Sequence, residues 1–155
     1  MKTSERGIAL IKQFEGCKLK AYKCAAGVWT IGVGHTLNVK DGDTITQKRA
    51  DNLLAIDLAA TEITVERNVK PKINQEMFDA LVSLAFNIGV GHFVSSTVLR
   101  ECNSCDYVAA ADGFTLWNKG GGKILPGLVK RRAAERQLFL EGVNKLRHGN
   151  KTSEA

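Results

Sequence analysis

No run of about 18 apolar residues occurs anywhere in the sequence, so no segment reads as a membrane-spanning helix. An apolar stretch behind the first basic residues is also missing. Met1-Lys2-Thr3-Ser4-Glu5-Arg6 is polar and leads straight into a helical pattern. A secretory signal needs that stretch, so the expectation is a protein made in a cytoplasm and carrying no export signal of the usual kind. Internal repeats and low-complexity segments are absent as well. What is present, 155 residues with 44% hydrophobic and 25% charged, excludes general disorder. The length suits one domain, or two small lobes sharing a core.

Charge narrows the partner without choosing it. Lys and Arg total 22 against 16 Asp and Glu, a formal charge of +6. That excess favours anionic partners such as nucleic acid, a membrane surface or an acidic cell-wall polymer. The basic residues are scattered, with one denser stretch at Lys130-Arg131-Arg132. The cysteines are Cys17, Cys24, Cys102 and Cys105. Cys102-Asn-Ser-Cys105 has a zinc half-site spacing, but Cys17 and Cys24, with six residues between them, fit the other half poorly. No metal site and no cofactor is read here, and without an export signal the thiols are expected to be reduced.

Capping and periodicity set the elements. A first helix is predicted from Ser4 to Phe14, with Thr3 as N-cap, an apolar stripe of Ile8, Leu10, Ile11 and Phe14, and a stop at Gly16. A hairpin follows, with strands near Ala21–Cys24 and Val28–Val33 around Gly27, then a turn at Asp41-Gly42-Asp43. A long helix runs from the Thr46 cap to Arg67. Asn74 caps an apolar helix through Ile88 that stops at Gly89-Val90-Gly91, a short helix follows Ser95 or Ser96, and another covers Asp106 to Trp117. Gly120-Gly121-Gly122 reads as a flexible loop, and Pro126 opens a last helix through Leu140. The class is α+β: a small antiparallel β lobe with the N-terminal helix (1–45), a linking helix (46–70), a larger helical lobe (71–143) and a polar, frayed tail (144–155), with a ligand cleft between the lobes.

Two places carry chemistry. Glu15 falls at a helix C-terminus, where the dipole is negative, next to Phe14. The dipole and burial in a cleft both favour the protonated form that a general acid needs. In the hairpin, Cys24 and Thr30 are equally distant from Gly27. If Gly27 is the turn centre they face each other about 5 Å apart. Alternation then puts Thr30, Gly32 and Gly34 on a small, polar face and Trp29, Ile31 and Val33 on the packed one.

Glu15, eight residues, Cys24, five residues and Thr30, embedded in Glu15-Gly16 and Thr30-Ile31-Gly32-Val33-Gly34-His35-Thr36, resemble the bacteriophage-type lysozymes, the phage endolysins of glycoside hydrolase family 24. Phe86-Asn87-Ile88-Gly89-Val90-Gly91, Trp117-Asn118-Lys119, and Leu125-Pro126-Gly127-Leu128-Val129-Lys130-Arg131-Arg132 with Glu135 extend the likeness over nearly the whole chain.

The resemblance implies a lysozyme-like fold. It also implies a muramidase that hydrolyses the β-1,4 bond between N-acetylmuramic acid and N-acetylglucosamine in peptidoglycan, lysing the host for phage release. Glycan chains are then the partner and nucleic acid is not. The protein would be a monomer in the host cytoplasm, reaching the wall once a holin opens the inner membrane. Glu15 is implied as the acid, with Thr30 and Cys24 on the water side. Gly32, His35, Asn87 and Arg131 are candidate substrate contacts, and Arg131 is also a candidate partner of Glu15. Many family members carry Asp where Cys24 stands. A thiol with an ordinary pKa near 8.5 is mostly neutral at pH 7, so it needs a nearby cation or hydrogen-bond donors. Lys23, His35 and Arg131 are the candidates. A lytic transglycosylase, which needs only the acid, and a non-hydrolytic wall-binding module are the competing readings.

Overall fold

The computed structural model describes residues 1–153. Helix α1 spans Glu5–Glu15 and is capped by Ser4, whose hydroxyl accepts from the Gly7 amide. Thr3 cannot serve as the cap, because its amide and hydroxyl both donate to Glu62 Oε2. Ser4 is itself tied down: its amide donates to Asp79 Oδ1 at 3.0 Å, and its hydroxyl donates to Asp79 Oδ2. Asp79 is 1% exposed, so these donors satisfy a carboxylate that burial would otherwise leave unpaired. At the far end Gly16, at a φ of 72°, turns the chain out of the helix while its amide donates to Lys12 O.

Strands β1 (Lys18–Lys23) and β2 (Trp29–Gly32) form an antiparallel hairpin in the register Tyr22↔Thr30 and Lys23↔Trp29. The expected facing of Cys24 and Thr30 is therefore wrong. Gly27 supplies the positive φ of 78°, but its amide closes on Cys24 O at 2.8 Å while the Cys24 amide donates to Val28 O at 2.9 Å. The turn lies between Cys24 and Val28, and Cys24 sits where the ladder ends.

The expected split into an open and a packed face also fails. Thr30, Ile31 and Val33 are 4%, 3% and 1% exposed, because β2 is laid against the next helix. That helix, α2 (Gln47–Asn68), is capped by the Thr46 hydroxyl, which accepts from the Arg49 amide. It buries Ala50, Leu53, Leu54, Leu58, Thr61 and Val65 along one stripe.

Helix α3 (Gln75–Ile88) is the centre of the molecule: every residue from Met77 to Ala85 is buried. Asn74 caps it with Oδ1 and donates through Nδ2 to Gly142 O at 2.7 Å. The chain does not stay irregular after α3. Gly89 ends it, and Val90 starts a short helix, α4 (Val90–Val94). Helix α5 (Thr97–Asn103) follows the Ser96 cap, and α6 (Tyr107–Phe114) the Asp106 cap, ending before Trp117. The glycine triplet is not a loose loop. Strands β3 (Lys119–Gly120) and β4 (Lys123–Ile124) pair across Gly121 and Gly122, at φ values of 58° and 80°, the backbone a two-residue hairpin turn demands.

Helix α7 runs Pro126–Ser153, well past the expected end at Leu140. It continues because Gly142 and Val143 are buried against α3, where a Cβ on Gly142 would come within 2.6 Å of Asn74 Oδ1 and Met77 Cγ. Of the expected frayed tail, residues 154–155 lie outside the described part. The core joins α3 to α4, α6 and α7 through Phe78, Phe93, Phe114 and Phe139, with the last two rings 5.5 Å apart.

Candidate active site

Glu15 is the last residue of α1 and its side chain is 21% exposed. Arg131, from the first turns of α7, donates Nη1–H to Glu15 Oε1 at 2.6 Å. The other oxygen faces Gly34: a Cβ built on that glycine would lie 3.2 Å from Glu15 Oε2. Arg131 thus places a guanidinium beside the carboxylate at the carbonyl end of α1.

Arg131 is 3% exposed and its fork is fully engaged. Nε donates to Glu135 Oε2 at 3.3 Å, and Nη2 donates to Ser83 O at 3.2 Å and Ser83 Oγ at 3.4 Å. Glu135 is fully buried, accepts from the Ser83 hydroxyl at 2.5 Å, and has Arg132 Nε 2.6 Å from its Oε1. Burial pushes the Glu135 carboxyl up and the Arg132 guanidinium down; their ion pair opposes both shifts, and the Ser83 hydroxyl opposes the first. The network thus holds two carboxylates and two guanidiniums, matched in charge, behind the exposed edge of Glu15. Ser83 carries no sequence signal for this role, and Arg131-Arg132-Ala133-Ala134-Glu135 reads locally as a solvated helix face.

On the hairpin side, Cys24 is activated by neither Lys23, His35 nor Arg131. Its thiol is lowered from the ordinary value first by the Val28 amide, then by the Ala26 amide, with a further contribution from the Thr30 hydroxyl. The hairpin turn itself therefore supplies the donors that favour a thiolate. Lys23 Nζ lies over the Trp29 ring instead, 5.3 Å from its centroid. Thr30 Oγ1 is 3.0 Å from Val28 O. Tyr22 belongs to the same wall: burial first, then the charges of Cys24 and Glu15, raise its phenol, and Lys18 Nζ caps the ring at 4.4 Å. No spacing signal singles Tyr22 out; strand register brings it there.

The remaining candidates separate. Gly32 is buried, and a Cβ there would sit 3.4 Å from Ile45 Cδ1 and 3.5 Å from Ala50 Cβ, so this glycine accommodates α2 rather than an open ligand surface. Gly34 is the glycine beside Glu15. His35 is 8% exposed and bridges Asp57 Oδ2 (Nδ1, 2.8 Å) and Leu37 O (Nε2, 3.0 Å), which fixes β2 to α2. Asn87 lines a 280 Å³ hollow of the helical lobe with Ile88, His92, Trp117, Lys119 and Leu128. Glu15, Arg131, Cys24 and Thr30 are thus gathered at the junction of hairpin and helices, and Gly32, His35 and Asn87 stand outside it.

A small hairpin lobe set on a helical lobe is a fold this chain shares with solved muramidase and lysozyme structures. The phage lysozyme family model matches residues 12–135. The chain is 46% identical over 143 residues to the endolysin of Acyrthosiphon pisum secondary endosymbiont phage 1, covering 90% of this chain and 98% of that one. It is 44% identical over 148 residues to the endolysin of Bacillus phage B103, covering 94% of this chain but 56% of that longer protein. The solved muramidase domain of SpmX from Asticaccaulis excentricus superposes with a TM-score of 0.84 at 40% identity, over 90% of this chain and 97% of that one. The chain belongs to the phage lysozyme family.

Proposed function

We propose that Glu15, Thr30 and Cys24 carry the glycosidase reaction of this family member, a muramidase that cuts the glycan chains of host peptidoglycan as an endolysin. Glu15 protonates the bridging oxygen of the β-1,4 bond, and the bond between the anomeric carbon and that oxygen breaks as positive charge builds on the sugar ring. Water adds to the anomeric carbon from the hairpin side. Thr30 orients that water, and the Cys24 thiolate, favoured by the amides of the turn, takes up its proton. Arg131 fixes Glu15 in place. The observation that carries this reading is the placement of Glu15 against Gly34 and Tyr22 while a buried guanidinium holds its other edge.

The same reading includes access. Among the described residues no helix is long and apolar enough to cross a membrane. We infer a protein that collects in the host cytoplasm and reaches the wall through a holin lesion, and that acts as a monomer, since one chain contributes every member of the site. Clearing of purified sacculi by the wild type and by Glu15→Gln tests the assignment. A loss of at least about 100-fold with the fold intact is expected for a general acid, and near-wild-type clearing would overturn it. New reducing ends among the products mark hydrolysis, and anhydro ends would mark the transglycosylase.

A further inference from the structure

The Arg131 guanidinium has two edges that could clasp a carboxylate with paired N–H groups, and neither is available to Glu15. Nε is turned to Glu135 Oε2 and Nη2 to the carbonyl and hydroxyl of Ser83, which leaves Nη1 alone for Glu15 Oε1. Paired contacts are the strong form of the arginine–carboxylate interaction, and they hold the ionised acid. A single contact holds the side chain in position with less bias toward the anion.

We propose that Glu135 is a positioning residue for glycan cleavage: by occupying the Nε edge of Arg131, together with Ser83 at Nη2, it limits the guanidinium to one contact with Glu15 and keeps that acid able to hold its proton. The proposal rests on Glu15 being the acid. Glu135 is fully buried and reaches Glu15 only through Arg131. It adds a second effect of the same sign, since its own negative charge offsets part of the guanidinium charge that Glu15 experiences. Among the described residues, the other charged and titratable groups facing Glu15 are Arg132 from α7 and Tyr22 from the hairpin, with Cys24 interacting in turn with Tyr22. Arg132 is spent on Glu135 Oε1, at 2.6 Å, so it does not replace Arg131.

The test is the pH dependence of sacculus clearing by the full chain. Glu135→Gln keeps the shape and removes the charge. The alkaline limb is expected to fall by about one pH unit, with activity on the acid side of the limb kept within about threefold. If Glu135→Gln folds poorly because Arg132 loses its partner, Ser83→Ala carries the test, since it leaves the Glu135 and Arg132 charges in place. Ser83→Ala, which frees the Nη2 edge in part, should displace the limb in the same direction by less. Uniform loss of activity at every pH, with the limb unmoved in the folded variants, would make Glu135 purely structural and overturn the proposal. A limb that moves upward would overturn it too. Glu15→Gln run alongside separates the two readings: if that variant clears normally, the acid assignment fails rather than the role of Glu135.

Discussion

Gly34 should be the position where backbone strain and catalysis can be told apart. Its φ of 69° lies in the left-handed region, and an added Cβ would stand 3.2 Å from Glu15 Oε2. Gly34→Ala therefore has two costs. Placing an L side chain in that region costs about 1–2 kcal/mol, and a domain of this length loses about 2–4 °C of Tm per kcal/mol, so a fall of about 2–8 °C is expected. The second cost falls on the acid, which must retreat by a few tenths of an ångström to reach ordinary contact. A 1 Å misplacement of a catalytic group costs about 100-fold, so the smaller displacement should cost about 3- to 10-fold in clearing rate. Gly42→Ala is the matched control: its φ is 86°, and nothing lies within 4 Å of its added Cβ. It should lose similar stability and clear sacculi at the wild-type rate well below its Tm. Thermal melts with clearing rates at 25 °C decide the matter. Equal activity in both variants would refute the idea that Gly34 is a glycine to make room for the acid.

Two further outcomes are expected. Cys24→Asp should keep or raise activity near pH 6 and Cys24→Ala should lower it without abolishing it; in the wild type, iodoacetamide should alkylate Cys24 at a pH below the ordinary thiol range while Cys102, whose thiol burial pushes up to about 12, stays unlabelled in the folded protein. A folded but fully inactive Cys24→Ala would make Cys24 an essential catalyst. Glu76 is held below its ordinary value of 4.5 chiefly by its hydrogen bond with Lys145, so the stability this pair contributes is present above that pH and lost as the pH falls through the lowered value. Urea unfolding should find Lys145→Met less stable than the wild type near pH 6, with the gap closing toward pH 3; a gap unchanged by pH would contradict this.

Local signals carried much of the fold. Thr46, Asn74, Ser96 and Asp106 each accept a backbone amide at a helix start, as their side chains predispose them to do, and Gly16 and Gly89 take the positive φ that ends a helix. Register was not legible. Gly27 marks the positive φ of the hairpin turn, but a turn's glycine need not be its centre, and an error of this kind re-pairs every residue on the ladder. The helix extension past Leu140 was hidden because Gly142 looks like a stop, whereas its missing side chain is what lets α7 approach Asn74 and Met77. Glu15, Cys24 and Thr30, the residues proposed to react, fall within one short segment, so their spacing is readable in the sequence. The buried pairs behind them were not, because Ser83, Arg132 and Glu135 acquire their meaning only when α3 and α7 pack.

The contact between Glu15 and Arg131 spans 116 positions of the chain, and that separation has a consequence in time. A ribosome adding about 5–20 residues per second needs roughly 6–23 s after making the acid to make its counter-ion. Throughout that interval α1 and the hairpin exist without the helix that holds Glu15. The contact that fixes this carboxylate is acquired only near the end of synthesis, once the amino end of α7 has been made and can pack on α3. Chains that stop before Arg131 lack the guanidinium that fixes Glu15.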